Sequence, residues 1–204
     1  MRRILGRANS SNVMKVIWLL EELHLPYTRE DYGGPFQNTA TPEYRALNPN
    51  GFVPTLVEDG FVLWESNAIL RYLATGAPAL WPTDPRARAN IDRWMDWQQT
   101  THNRPGSLVF QGLVRTPPAQ RDPAAIATAL AELAGVWSLL DQTLAAHPYV
   151  AGSAFTLADI PLGIHVHRWF AFPVDRPDLP HLRAWYDRLL ARPAYAAHCA
   201  APLS

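Results

Sequence analysis

The stretch from Asn48 to Ser66, NPNGFVPTLVEDGFVLWES, constrains the fold more than any other part of the chain. It reads as loop, strand, turn, strand and the first residues of a helix. Asn48-Pro49-Asn50-Gly51 has the composition of a turn. Val53 to Val57 and Phe61 to Leu63 are β-prone runs separated by Glu58-Asp59-Gly60, and an Asp-Gly between such runs is a strong hairpin signal. Pro54 has no N–H for a ladder and belongs at the mouth of the first strand. A turn at that point is where cis X-Pro bonds occur, and a cis Val53-Pro54 would turn the Val53 N–H and C=O outward, free to pair with an extended peptide. Glu65-Ser66-Asn67 then precedes Ala68, Ile69, Leu70, Tyr72 and Leu73, so Glu65 or Ser66 caps a helix. Free N–H groups and a positive dipole end make that point an anion site, to which the Ser66 hydroxyl adds a donor. Taken singly, Val-Pro is a strand entry and Glu-Ser an ordinary cap. Joined at this spacing they mark a ligand site.

Upstream, Ile4-Leu5-Gly6 closes a short first strand, and Arg7 to Asn12 is a polar loop. Val13, Val16, Ile17, Leu20 and Leu23 follow at helical period, and His24 ends that helix. Pro26 to Tyr32 alternates like a strand, so the first two strands should be parallel across a βαβ unit. Gly33 to Thr41 is loop and Pro42 to Leu47 a short helix. Residues 1–76 thus read βαβ-α-ββα. Residues 77–85 form a Pro-rich linker, and no convincing strand follows. Residues 86–204 read as all-helical: Arg86 to about His102, a helix from Pro123 with Leu130, Leu133, Trp137, Leu140 and Leu144 on one stripe, and one around Leu182 to Leu190 closed by Pro193. Phe155-Thr156-Leu157-Ala158-Asp159-Ile160 predicts a capping box, with Thr156 as cap, Asp159 as its acid and Phe155 stapled against Ile160. That box is a folding signal rather than a site.

Composition removes several classes of function. The formal charge is zero, with 18 basic and 18 acidic residues, so nothing suggests an electrostatic nucleic-acid footprint. No apolar run of signal-peptide or transmembrane length is apparent, and a single cysteine, Cys199, fits a reducing compartment; the expectation is a cytoplasmic protein with no membrane partner. Seven histidines lack metal spacing, and His165 and His167, two apart on a helix, point apart, so no metal is expected.

The pattern Asn-Pro-x-Gly-x-Val-Pro-x-Leu, an acidic turn, then Glu-Ser-x-Ala-Ile resembles the glutathione site of the cytosolic glutathione transferases. The loop Ser10-Ser11-Asn12-Val13-Met14-Lys15-Val16 is similar to that of bacterial, serine-type members, theta-, phi- or nu-like. The resemblance implies a thioredoxin-like domain followed by an all-helical domain that lines the electrophile site. It implies that Val53, before a cis-Pro54, pairs with the cysteinyl backbone of glutathione, and that Glu65 and Ser66 hold the γ-glutamyl end. It places the thiol-activating hydroxyl at Ser10, with Asn12 as second donor and Ser11 one register away. The chemistry fits: a free thiol is only a few per cent ionised near neutrality, and making it mostly thiolate takes about 2.7 kcal/mol. A hydroxyl donor at a helix N-terminus can supply that.

The implied function is a detoxifying transferase with glutathione as co-substrate and a small hydrophobic electrophile, working as a homodimer. Glutathione-dependent disulfide or peroxide chemistry and a non-catalytic interaction protein are the competing readings. The first loop holds neither Cys nor Tyr, which argues against the cysteine and tyrosine branches. Trp97, Thr101 and Arg104, spaced four and three apart, are candidates for the second-substrate pocket. One departure stands out: relatives carry Gln or Lys between the Gly and Val of the motif to hold the glycine carboxylate, and Phe52 cannot. Gln37 and Asn38 in the Gly33 to Thr41 loop are candidate substitutes.

Overall fold

The structure, a computed structural model, describes residues 1–203. The chain divides into two compact units, with the boundary between Trp81 and Pro82.

The first unit contains β1 (Arg2–Leu5), α1 (Ser11–Glu22), β2 (Tyr27–Glu30), α2 (Pro42–Leu47), β3 (Thr55–Glu58), β4 (Phe61–Trp64) and α3 (Ser66–Leu73). The sheet order is β2-β1-β3-β4. β1 and β2 are parallel, as a βαβ unit requires, while β3 runs antiparallel to both β1 and β4. This is the thioredoxin-like arrangement. The hairpin is a two-residue loop, with Glu58 opposite Phe61 and both Asp59 and Gly60 at positive φ, the primed turn that Asp-Gly favours. β3 starts at Thr55, later than the pattern suggests, because Val53-Pro54 is taken up by a cis bond rather than the ladder. α1 and α3 pack together, burying Val13, Val16, Ile17 and Leu20 with Ile69, Leu70 and Leu73.

Strand directions decide where loops meet. Leu5 faces Glu30 on one side and Thr55 on the other, and Thr55 faces Trp64. The C-terminal ends of β1, β2 and β4 and the N-terminal end of β3 therefore share one end of the sheet. The segments Arg7 to Asn12, Gly33 to Thr41, Asn48 to Val53 and Glu65-Ser66 all emerge there, and the Asp59-Gly60 turn lies at the other end.

The second unit is helical: α4 (Pro85–Trp97), α5 (Asn103–Phe110), α6 (Pro123–Leu144), α7 (Asp159–Ala171), α8 (Pro180–Leu190) and α9 (Pro193–His198). The run expected to stop near His102 continues through α5. A wide π-type stretch at Gln98–His102 precedes Pro105. That stretch loosens the hydrogen-bond ladder where proline lacks a donor and its ring would strike the preceding turn. Pro193, read as a terminator, is also the first residue of α9, a position that suits its fixed φ.

Asp141 on α6 caps α8 from a distance, its Oδ1 accepting the Leu182 N–H at 2.7 Å. α6 is long and apolar enough to cross a membrane by length and composition, which the sequence reading did not credit. Much of that apolarity is alanine. The helix also carries Glu132, ion-paired with Arg104, and buries Leu133, Trp137, Leu140 and Leu144 as a core stripe.

Candidate functional site

The loop from Gly6 to Ser10 is tied to the end of β2. The Gly6 N–H donates to Glu30 O at 2.8 Å, the Arg7 N–H to Tyr32 O at 3.0 Å, and the Ser10 N–H turns back to Arg7 O at 3.2 Å. Gly6 leaves room for the cis-proline loop: a methyl group built there would sit 2.4 Å from Val13 Cγ2 and 3.3 Å from Val53 Cβ. Ser10 is 8 % exposed and holds the N-cap position of α1, yet its hydroxyl makes no capping bond. A serine at an N-cap ordinarily uses its oxygen there. Here the hydroxyl is left for another partner. Ser11 is already the first helical residue.

Asn12 and Ser66, far apart in sequence, meet in space. The Ser66 hydroxyl donates to Asn12 Oδ1 at 3.3 Å, joining the starts of α1 and α3. Two positive helix ends therefore converge at this end of the sheet, with the N–H groups of both first turns. Glu65 occupies the N-cap position of α3 without a side-chain capping bond, so neither it nor Ser66 caps the helix through its side chain as the sequence suggested. Its backbone is at φ 71°, ψ 111°, a conformation that costs a non-glycine residue about 1–3 kcal/mol. Its side chain is exposed. A strained acidic residue at a helix start, not used to cap it, is available to a ligand.

Val53 is held by a buried network that pattern reading did not find. Phe52 O accepts from the Tyr44 hydroxyl at 2.7 Å and from Asn48 Nδ2 at 2.9 Å. The same two groups also meet Thr55 Oγ1, at 3.0 and 3.2 Å. Asn48 Oδ1 accepts the Asn50 N–H at 3.1 Å. Asn48 thus does more than form a turn; it fixes the peptide on each side of the Val53-Pro54 bond. Asn48→Ala is expected to destabilise the protein by about 1–3 kcal/mol, since it removes a donor shared by two buried acceptors. Urea unfolding measures it, and a wild-type midpoint would contradict the network's role.

Other expectations are redirected. Asn38 is built into its own loop, with Oδ1 accepting the Gly33 N–H at 2.9 Å and Nδ2 donating to Asp31 O at 3.0 Å. The Phe52 side chain is 74 % exposed. Of Trp97, Thr101 and Arg104, two have neighbours of their own. Trp97 lines a shallow cavity of about 310 Å³ with Arg93, Trp94 and Leu139, and Arg104 pairs with Glu132. His165 lies against Gln98 and His102, whereas His167 bridges the Tyr186 hydroxyl and Ala201 O, both at 2.8 Å. Burial holds the His167 pKa below its ordinary value. No group of three potential metal ligands occurs among the described residues.

Residues 9–75 match the family model described as "Glutathione S-transferase, N-terminal domain", and residues 108–193 match "Glutathione S-transferase, C-terminal domain". The chain is 40% identical over 203 residues to glutathione S-transferase GstB of Escherichia coli K12, covering 98% of each protein. It is 34% identical to glutathione S-transferase 3 of Zea mays, covering 98% of this chain and 93% of that one. Among solved structures it is similar to the theta class glutathione S-transferase of Xanthomonas axonopodis pv. citri with glutathione bound. That similarity is 50% identity and a TM-score of 0.96 over 100% of this chain and 99% of the other.

Proposed function

The chain belongs to the glutathione S-transferase family, and on that premise we propose that it ionises the thiol of glutathione and joins its sulfur to a small hydrophobic electrophile. The observation that carries the reading is the Ser66–Asn12 bond, which brings the starts of α1 and α3 together beside a serine hydroxyl that caps nothing. The outward N–H and C=O of Val53, before cis-Pro54, take the cysteinyl backbone as a short antiparallel pairing. The α3 N-terminus takes the γ-glutamyl carboxylate, with the Ser66 hydroxyl turning from Asn12 Oδ1 to donate to it, and Glu65 takes its ammonium. The thiol then falls toward Ser10, with Asn12 as a second donor. Ser10 donates to the sulfur and the α1 dipole favours its negative charge. The thiol proton leaves to solvent. The thiolate then forms a carbon–sulfur bond as the electrophile's leaving group departs or its double bond takes a proton.

Asn12, held by Ser66, also suits thiol–disulfide or peroxide chemistry, in which a thiolate attacks sulfur or oxygen. Turnover of a disulfide against an aryl halide separates the two. The reading extends to a homodimer, supported by the exposed aromatic pair Phe61 and Tyr72, whose ring centroids are 5.1 Å apart, and to a cytoplasmic detoxifying role. Sedimentation at micromolar concentration tests the dimer.

Ser66→Ala, and more so Glu65→Ala, should weaken glutathione binding by about 1.5–3 kcal/mol, the usual cost of losing a hydrogen bond to a charged group. Folding should change little in Glu65→Ala, whose side chain is exposed and does not cap α3, whereas Ser66→Ala also gives up the bond to Asn12 and should cost about 0.5–1.5 kcal/mol of stability. Calorimetry on both variants is the test, and an unchanged Kd would remove these residues from the site.

A further inference from the structure

We propose that Arg7 is the cation that holds the glycine carboxylate of glutathione, in place of the polar side chain that Phe52 does not supply; this rests on the glutathione-binding reading above. The Arg7 side chain lies along Gly33-Gly34. A methyl group built on Gly34 would be 2.9 Å from Arg7 Cδ, 3.0 Å from Nε and 3.3 Å from Cζ. One built on Gly33 would be 3.5 Å from Arg7 Nη1 and 3.2 Å from Val53 Cγ1. The guanidinium therefore ends beside Val53, the residue assigned to the cysteinyl backbone. Both glycines are at positive φ, 76° and 55°, which combines a bend that side chains disfavour with space for an arginine on top.

Sheet order gives the direction. Glu65 and Ser66 follow β4, Val53 precedes β3, and Arg7 follows β1, all at one end of the sheet. From β4 to β1 is two inter-strand steps, about 10 Å. An extended tripeptide spans at most about 10–11 Å. With its γ-glutamyl end on α3 and its cysteinyl backbone on Val53, glutathione reaches the Arg7 side of the sheet at its glycine end. The Arg7 backbone is pinned to Tyr32 O and to the Ser10 N–H, so the cation and the thiol-activating serine are held in one rigid turn. A planar guanidinium there matches a carboxylate two oxygens at a time.

The test compares glutathione with its glycine ethyl ester, which lacks only the glycine charge. Calorimetry would be run on wild type, Arg7→Ala and Arg7→Gln, the last keeping part of the stem that covers Gly34. Ser66→Ala serves as reference. Wild type should prefer glutathione to the ester by about 10- to 100-fold. Both Arg7 variants should bind the two ligands equally, at the wild-type level for the ester. Ser66→Ala should weaken both ligands together and keep the preference. A preference that survives in Arg7→Gln, or a loss in that variant equal for both ligands, overturns the assignment. If wild type binds neither ligand, the glutathione reading falls and takes this one with it.

Discussion

Asp159→Ala should cost the protein on the order of 3–9 kcal/mol, because it strips the acceptor from three buried donors at about 1–3 kcal/mol each. Asp159 Oδ1 accepts the Val150 N–H at 3.0 Å and the Trp185 indole N–H at 2.9 Å, while Oδ2 accepts the Thr156 N–H at 2.9 Å. The last of these is the acid half of the predicted capping box. The other half differs from the expectation: Thr156 Oγ1 accepts from the Ala158 N–H at 3.3 Å rather than from Asp159, and Ala158, not Thr156, holds the N-cap position of α7. The Thr156 bond belongs to a helix start; the bonds to Val150 and Trp185 make the same carboxyl the tie between α7, α8 and the preceding loop. Against a total stability of about 5–15 kcal/mol, such a loss leaves little native protein at growth temperature. Thermal unfolding should show a fall in Tm of about 10 °C or more. A fall below about 3 °C would mean that the donors find other acceptors.

The pH dependence of this site has a definite sign. Burial pushes the Asp159 carboxyl up to about 6, against the hydrogen bonds from Val150, Thr156 and Trp185 that pull it down. In the unfolded chain it titrates near 3.9. Between about pH 4 and 6 the folded protein therefore keeps a proton that the unfolded chain has released. The site's contribution is full below that window and declines as pH rises through it, by on the order of 3 kcal/mol. Asp159→Asn has nothing to titrate, so its deficit against wild type should narrow between about pH 4.5 and 7.5 in urea unfolding. A deficit that widens would mean that the donors outweigh burial in setting this pKa.

What the sequence disclosed follows from how local each feature is. The Asp59-Gly60 hairpin, the α1 stripe from Val13 to Leu20 and the bond from the Thr156 N–H to Asp159 are decided by neighbours within a turn or two, and the structure has each of them, although Thr156 itself is not the cap of α7. The cis Val53-Pro54 bond was only one option on local grounds, since Val-Pro alone reads as a strand entry; the resemblance carried by the whole Asn48–Ser66 pattern is what pointed to it. The Tyr44–Asn48–Thr55 network was not legible, because it depends on α2 and β3 packing so that two side chains reach the Phe52 carbonyl and a third joins them. Asn48 looked like turn chemistry alone. The π-type stretch at Gln98–His102 escaped because hydrophobic period reads through it unchanged. Arg7 escaped for a related reason. Only sheet order brings the residue after β1 beside Gly33-Gly34, although the adjacent glycines were a visible hint of something lying across them.

The remaining large effect concerns the thiol. If the Ser10 hydroxyl donates to sulfur, enzyme-bound glutathione should titrate about two pH units below the free thiol, a stabilisation of about 2.7 kcal/mol for the thiolate. Ser10→Ala should return most of that shift and slow turnover near neutrality by about 10- to 30-fold, less than the full two decades because the wild-type thiol is already mostly ionised there. The hydroxyl acts on the charged sulfur more than on the bound peptide, so kcat should fall while the KM for glutathione stays nearly constant. Raising the pH should rescue the variant in part, because bulk hydroxide then removes the proton. Asn12→Ala should give a smaller shift, since only its N–H groups can serve the sulfur. Ser11→Ala should do very little, because Ser11 is inside the first turn of α1 while Ser10 stands before it. Thiolate absorbance against pH for the four proteins, beside turnover of an aryl halide, makes the comparison. A large shift from Ser11→Ala would move the activating residue by one position. No shift from any variant would leave the two helix ends alone to lower the thiol pKa.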